Sequence, residues 1–174
     1  LLSMYYKLLE RLALHRIDCQ VETLLSPDQA GFRKCRSTVD QVLALSTYIE
    51  NGFQRQLKTG AVFLDLTAAY DTVWHTGLLV KVCRCLPIWF VRLVELLLRN
   101  RRFRVHMGDD TSRWRNQHNG LPQGSVLAPT LFNIYTNDLP STICRRFVYA
   151  DDICMAHQAT TFLSWSAPSR PTWL

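Results

Sequence analysis

The stretch FVYADDICMA, residues 147–156, decides how this chain is read, because two adjacent carboxylates, Asp151 and Asp152, stand in the middle of an apolar, strand-like run. Like charges side by side repel, and burial disfavours their ionised form, so this placement is costly unless a positive partner offsets it. A divalent cation is the usual partner. A second acid in a similar setting, Asp65 in AVFLDL (61–66), supplies the further carboxylate that such an ion takes. The segments RFVYA and ICMA read as strands on either side of the acidic pair, with Asp151 and Asp152 at a tight turn where both carboxylates leave the sheet surface together.

Working outward, 174 residues suffice for one domain with a true core, or for one domain and part of a second. A hydrophobic content of 48% with 20% charged residues is that of a globular, soluble chain. No apolar run reaches the roughly eighteen residues of a membrane span, since Lys81, Arg92 and Glu95 interrupt the longest ones. The net charge is +6. Arg99, Arg101, Arg102, Arg104, Arg113 and Arg115 interleave with Phe103 and Trp114, a pattern that suits a polyanion and equally a solvated hairpin face. Cys19, Cys35, Cys83, Cys85, Cys144 and Cys154 show no CxxC pairing and follow no secretion signal. They read as reduced and mostly packed thiols of an intracellular protein, without telling nucleus from cytoplasm. The histidines are scattered and take structural roles.

Residues 4–17, with the amphipathic pattern Tyr5, Leu8, Leu9 and Leu12, repeat at helical spacing and are predicted to be a helix. The chain opens directly in this pattern, as expected of a piece of something larger. Ser37, three residues before Asp40, reads as the capping start of a helix carrying Val39, Val42, Leu43, Ile49 and Phe53. AVFLDL, bounded by Thr59-Gly60, is predicted to be a central strand with Asp65 near its end. Helices are expected over 72–86 and 88–99, divided by Pro87, and over 130–138. RFRVHM and TSRWRNQ alternate around Gly108-Asp109-Asp110 and predict a hairpin.

Three segments then occur in a telling order: FLDLTAAYD (63–71), NGLPQGSVLAPTLFNIYTND (119–138) and FVYADDI (147–153). Together they resemble the three palm motifs of reverse transcriptases. The resemblance is strongest to the non-LTR (LINE-like) retrotransposon class, which also carries the helix KLLERL (7–12) and the GFRxxRST segment (31–38), and it spans roughly residues 1–160. It implies an α+β fold: a polymerase palm, with an antiparallel sheet and helices packed on one face, plus part of the fingers, the thumb missing. Residues 1–58 would be partial fingers and connecting helices, and 59–160 the palm. Residues 161–174 would be a divergent tail, for which a frameshift after Phe162 is one explanation.

The implied activity is RNA-directed DNA polymerisation, with the isolated piece expected to be inactive as truncated. Asp65, Asp151 and Asp152 would be the catalytic carboxylates for two Mg2+ ions, with Mn2+ as a substitute. Asp65 and Asp151 would be the direct ligands, and the Leu66 carbonyl a further oxygen. The Tyr70 ring, where this class more often has Phe, would collide with a ribose 2′-hydroxyl and so select deoxynucleotides. Gln123 and Gly124 would touch the incoming nucleotide. Arg33, Lys34 and Arg36, with Arg102 and Arg104 of the hairpin, would lie along nucleic acid. The implied partners are an RNA template, a DNA primer and deoxynucleoside triphosphates, with no membrane and an undetermined oligomeric state. The competing reading is a non-catalytic nucleic-acid-binding remnant. An RNA-dependent RNA polymerase is disfavoured by Tyr70, since ribonucleotides call for a smaller or polar residue there.

Overall fold

A computed structural model of the chain describes residues 3–161. The expected divergent tail therefore lies, beyond Thr161, outside the described residues. In chain order the elements are α1 (Met4–Leu24), α2 (Thr38–Gln54), β1 (Lys58–Leu64), α3 (His75–Cys85), α4 (Ile88–Leu98), β2 (Arg102–Phe103), β3 (His106–Met107), β4 (Asp110–Thr111), β5 (Arg115–Asn116), α5 (Ala128–Tyr135), β6 (Arg145–Tyr149) and β7 (Asp152–Ala159). All the strand pairs among them are antiparallel, so the chain has the expected mixture of helices and antiparallel sheet. No described helix is long and apolar enough to cross a membrane. The chain divides into two compact units, one from Leu1–Pro27 and Leu66–Leu139, the other from Asp28–Asp65 and Pro140–Leu174.

The first unit is mainly helical. Its core joins Ala13, Ile17 and Val21 of α1, Leu78 and Val82 of α3, Phe90 and Val94 of α4, and Leu131 and Phe132 of α5. On α1 the buried stripe is Glu10, Ala13, Ile17 and Val21, whereas Tyr5, Leu8, Leu9 and Leu12 of the amphipathic pattern are exposed. The reason is Glu10, whose carboxylate accepts from the Ser125 hydroxyl at 2.9 Å and the Val126 amide at 2.6 Å and so turns its own face inward. Pro87 divides α3 from α4 as expected, standing as N-cap of α4.

The arginine-rich hairpin is built in two pieces. β3 pairs with β4 around Gly108-Asp109, while β2 pairs with β5. Between the two registers, Arg104 and Val105 face Ser112, Arg113 and Trp114, so the second arm carries one extra residue, a β-bulge. The Ser112 hydroxyl accepts from the Val105 amide at 2.8 Å, and the Arg104 guanidinium lies 4.9 Å from the Trp114 ring centre.

The second unit is a three-stranded sheet in the order β1-β7-β6, with α2 on one face. Ala44, Leu45 and Tyr48 of α2 pack against Phe147, Cys154 and Ala156. The Ser37 hydroxyl accepts from the Asp40 amide while the Asp40 carboxylate accepts from the Ser37 amide, completing the expected capping box. The strand over AVFLDL forms, but it takes in Thr59 and Gly60 and lies at the edge; the centre belongs to β7, whose Ile153, Cys154 and Ala156 are buried. β7 is eight residues long and hydrogen-bonded on both sides, so its apolar run is the one the sheet encloses.

Two substitutions test these units. Phe90→Ala empties a fully buried site and should cost about 3–5 kcal/mol in chemical denaturation. Ser37→Ala removes one half of the capping box and should cost about 1 kcal/mol, read as a small loss of α2 helicity by circular dichroism and of unfolding midpoint.

Candidate active site

The acidic site is built on the β6–β7 hairpin. Tyr149 pairs with Asp152, leaving the two-residue connection Ala150-Asp151. Ala150 has φ +58°, and Asp151 does not share the positive φ. A side chain in the left-handed region costs on the order of 1–2 kcal/mol, so Ala150 must be held there. Gln29 does so. Its side-chain oxygen accepts from the Ala150 amide at 2.8 Å and from the Gly31 amide at 2.8 Å, and its side-chain nitrogen donates to the Ala150 carbonyl at 3.1 Å. The segment runs beside β6, with Ala30 donating to the Val148 carbonyl at 2.8 Å and the Val148 amide donating to the Asp28 carbonyl at 3.2 Å. A Cβ on Gly31 would fall 2.2 Å from the Ala150 nitrogen, so only glycine admits this approach.

β1 supplies the third carboxylate. Leu64, the last residue of β1, pairs with Ile153; Asp65 follows Leu64 directly and Asp152 precedes Ile153. Asp65 and Asp152 line one cavity of about 310 Å³ with Phe63, Phe147, Tyr149, Cys154 and the start of α2, including Thr38 and Gln41. Both acids are exposed; Asp151, at the turn, is half-buried and is not among the lining residues. The structure thus brings Asp65 to Asp152, with Asp151 adjacent in the chain. Asp152 is the first residue of β7 and not part of the turn, so the two tandem acids do not leave the sheet in the same way. Burial pushes the Cys154 thiol on the cavity wall above its ordinary pKa.

Hard oxygen donors alone suit Mg2+, which is commonly held by one or two carboxylates together with substrate phosphates and water. Asp65 and Asp152 fit that description. Among the described residues no group of three or more His, Cys, Asp or Glu side chains is placed so that it could hold a metal ion.

The other sequence-derived candidates lie as follows. Arg33 is half-buried and donates to the Gln29 carbonyl at 2.9 Å; Lys34 is exposed and Arg36 half-buried. In the helical unit, Tyr70 stacks on Phe132 with ring centres 4.9 Å apart and planes at 9°. It lines a cavity of about 430 Å³ with Pro122, Gln123, Gly124, Ser125, Ala128 and Pro129. Gln123 and Gly124 are exposed, and Gly124 has φ +83°, a conformation that favours glycine. Leu66 follows Asp65 in an irregular segment and is exposed. Arg102 and Arg104 are exposed on the hairpin. Asp71, expected near a helix start, sits in a turn ahead of α3. Its charge acts on Arg101, whose pKa burial lowers and Asp71 partly restores. Arg101 donates to the Gly120 carbonyl at 2.9 Å, on which His75 Nε2 also closes at 2.8 Å.

Two residues of consequence escaped the sequence reading. Glu10 holds the loop that carries Gln123 and Gly124, and its signal was present: Glu10, Ala13, Ile17 and Val21 fall on one helical face. Gln29 lies in the polar run SPDQAGFRKCRS, where no periodicity marks it.

The chain matches the family described as reverse transcriptase (RNA-dependent DNA polymerase) over residues 1–163. It is 38% identical over 170 residues to the "Probable RNA-directed DNA polymerase from transposon BS" of Drosophila melanogaster, covering 91% of this chain and 19% of that protein. It is 33% identical to the "RNA-directed DNA polymerase from mobile element jockey" of Drosophila funebris, covering 88% of this chain and 18% of that protein. A "Retrovirus-related Pol polyprotein from type-1 retrotransposable element R2" of Popillia japonica is 29% identical over 79% of the chain. The chain spans about a fifth of the length of these relatives. With ordered motifs, antiparallel sheet and family match in agreement, the chain belongs to the reverse transcriptase family, on its non-LTR retrotransposon branch.

Proposed function

We propose that this chain is the palm, with part of the fingers, of a retroelement polymerase that adds deoxynucleotides to the 3′-hydroxyl of a DNA primer on an RNA template. Residues 1–58 are the fingers portion and 59–160 the palm. The observation that carries the reading is that Asp65, directly after β1, and Asp152, at the start of the neighbouring β7, line one cavity. Asp65, Asp151 and Asp152, with the Leu66 carbonyl, would be the residues to hold two Mg2+ ions, or Mn2+ in their place. Such ions, when bound, ease deprotonation of an attacking hydroxyl and stabilise the leaving oxygen of a phosphoryl transfer.

The chain's own residues bind and sort. Asp65 and Asp152, exposed acids lining one cavity, offer the oxygen donors that a hard cation takes. The Tyr70 ring, fixed by Phe132, bars a 2′-hydroxyl, and Gln123 and Gly124 contact the nucleotide across the cavity they share with Tyr70. Arg33, Lys34 and Arg36 run along phosphates, as do Arg102 and Arg104 on the hairpin, with Trp114 backing Arg104.

Three outcomes are expected. Mn2+ titrated into the chain should raise its unfolding temperature, by about 2.7 kcal/mol of stabilisation at a hundredfold excess over Kd. Asp65→Asn and Asp152→Asn should each remove most of that rise, and an undiminished rise in both would overturn the cation site. In displacement titrations with a fluorescent deoxynucleotide in Mn2+, Tyr70→Val should let the matching ribonucleotide compete within about tenfold of the deoxynucleotide, a difference of 1.4 kcal/mol or less, where the native chain discriminates more strongly. For binding to a single-stranded RNA, Arg102→Gln with Arg104→Gln should flatten the slope of log K against log salt by about 0.7 for each phosphate contact removed. RNA binding by a chain that takes up no cation would favour the non-catalytic remnant instead.

A further inference from the structure

We infer that Gln29 is a positioning residue that sets the direction of the catalytic acids by locking the Ala150-Asp151 turn; the inference rests on the cation reading of Asp65, Asp151 and Asp152. Gln29 is 6% exposed and uses both ends of its amide. It takes the Ala150 amide and returns a hydrogen bond to the Ala150 carbonyl, so the two peptide groups that flank Ala150 are both fixed by one side chain. Those two peptides determine the φ and ψ of Ala150. The left-handed φ of +58° is unfavourable for alanine, and a turn that relaxed out of it would rotate the chain leading into Asp151 and Asp152.

The clamp is itself held. The Gln29 side-chain oxygen also accepts from the Gly31 amide, Gly31 lies against Ala150 with no room for a Cβ, and Arg33 donates to the Gln29 carbonyl. Asp28, one residue earlier, accepts from Arg146 Nε at 2.9 Å, which anchors the segment to β6. Residues 28–33 therefore act as a brace on the acid-bearing hairpin, and their basic character is only part of their role. Glycine at position 150 accepts the left-handed conformation without strain. A chain with glycine there should need Gln29 much less, whereas a general stabilising role for Gln29 would show no such dependence on residue 150.

The test uses the 174-residue chain labelled with nitrogen-15. In Gln29→Met, exchange of the Ala150 amide should accelerate by about tenfold or more while the Cys154 and Ala156 amides of β7 stay within about twofold. The Mn2+ Kd should weaken several-fold, and Gln29→Met combined with Ala150→Gly should bind Mn2+ within about twofold of Ala150→Gly alone, the mark of coupling through residue 150. Gln29→Glu keeps the two acceptor contacts and loses the donor, so it should fall between native and Gln29→Met; it serves where the methionine variant does not fold. Unchanged Ala150 exchange, uniform acceleration of every β7 amide, or no recovery with Ala150→Gly would each overturn the inference. If Asp65→Asn and Asp152→Asn leave Mn2+ binding untouched, the cation reading fails, and the exchange of Ala150 alone then decides whether the clamp exists.

Discussion

The register of β1 against β7 is the constraint on which the acidic site depends. Side chains alternate across a strand, so a slip of one residue would carry Asp65 to the opposite face of the sheet from Asp152 and leave no shared cavity. β1 is an edge strand with largely exposed side chains, and its own apolar residues do little to prevent such a slip. What fixes it stands at the other end of the pairing. Gln158, opposite Thr59, donates its side-chain amide to the Thr59 hydroxyl and to the Tyr48 carbonyl of α2, so one residue ties strand, neighbour and covering helix in a single register. Phe147, Cys154 and Ala156 under α2 then set which face is covered. Asp65 and Asp152 line a cavity there together with Thr38, Gln41, Val42 and Leu45 of α2.

Each unit solves its loop problem with one buried polar side chain. In the helical unit Glu10 reaches the Ser125 hydroxyl and the Val126 amide, and so fixes the loop before α5. In the sheet unit Gln29 closes on both sides of Ala150. The chemistry differs with the need. Glu10 satisfies donors only, as a carboxylate can; Gln29 must meet an N–H and a C=O of the same residue, which requires an amide. Buried polar groups with every partner in place rigidify what they touch, and both here touch segments that carry candidate site residues.

Much of this was legible in the sequence because it is written in local periodicity. The capping box at Ser37 and Asp40, the break at Pro87, the hairpin around Gly108 and the strands either side of the acidic pair all follow from patterns a few residues long. The order of the three acidic and glycine-bearing motifs carried the family. What the sequence hid is what depends on partners distant in the chain. Which face of α1 is buried turns on Ser125 and Val126, more than a hundred residues away. The edge position of β1 and the central position of β7 follow from strand order, which alternation within either strand does not encode. The bulge between Arg104 and Trp114 needs a count across both arms of the hairpin. Gln29 lies in a loop without periodicity, and its importance is visible only once Ala150 is seen to have a positive φ.

The charge balance around the acids argues for a ligand from outside the chain. Three arginines of the sheet unit, Arg146, Arg145 and Arg33, are engaged in its support. Arg146 closes on Asp28, with Nη2 to Oδ2 at 2.7 Å. Arg145 lies over the rings of Tyr48 and Phe147, 5.4 and 5.2 Å from their centres, on the α2 side of the sheet. Arg33 is turned to the Gln29 carbonyl. These contacts build the hairpin and its brace, while Asp65 and Asp152 remain exposed at the cavity. The proposed cation reading would give two acids lining one cavity a common role, because a hard cation offsets the negative charge they share there.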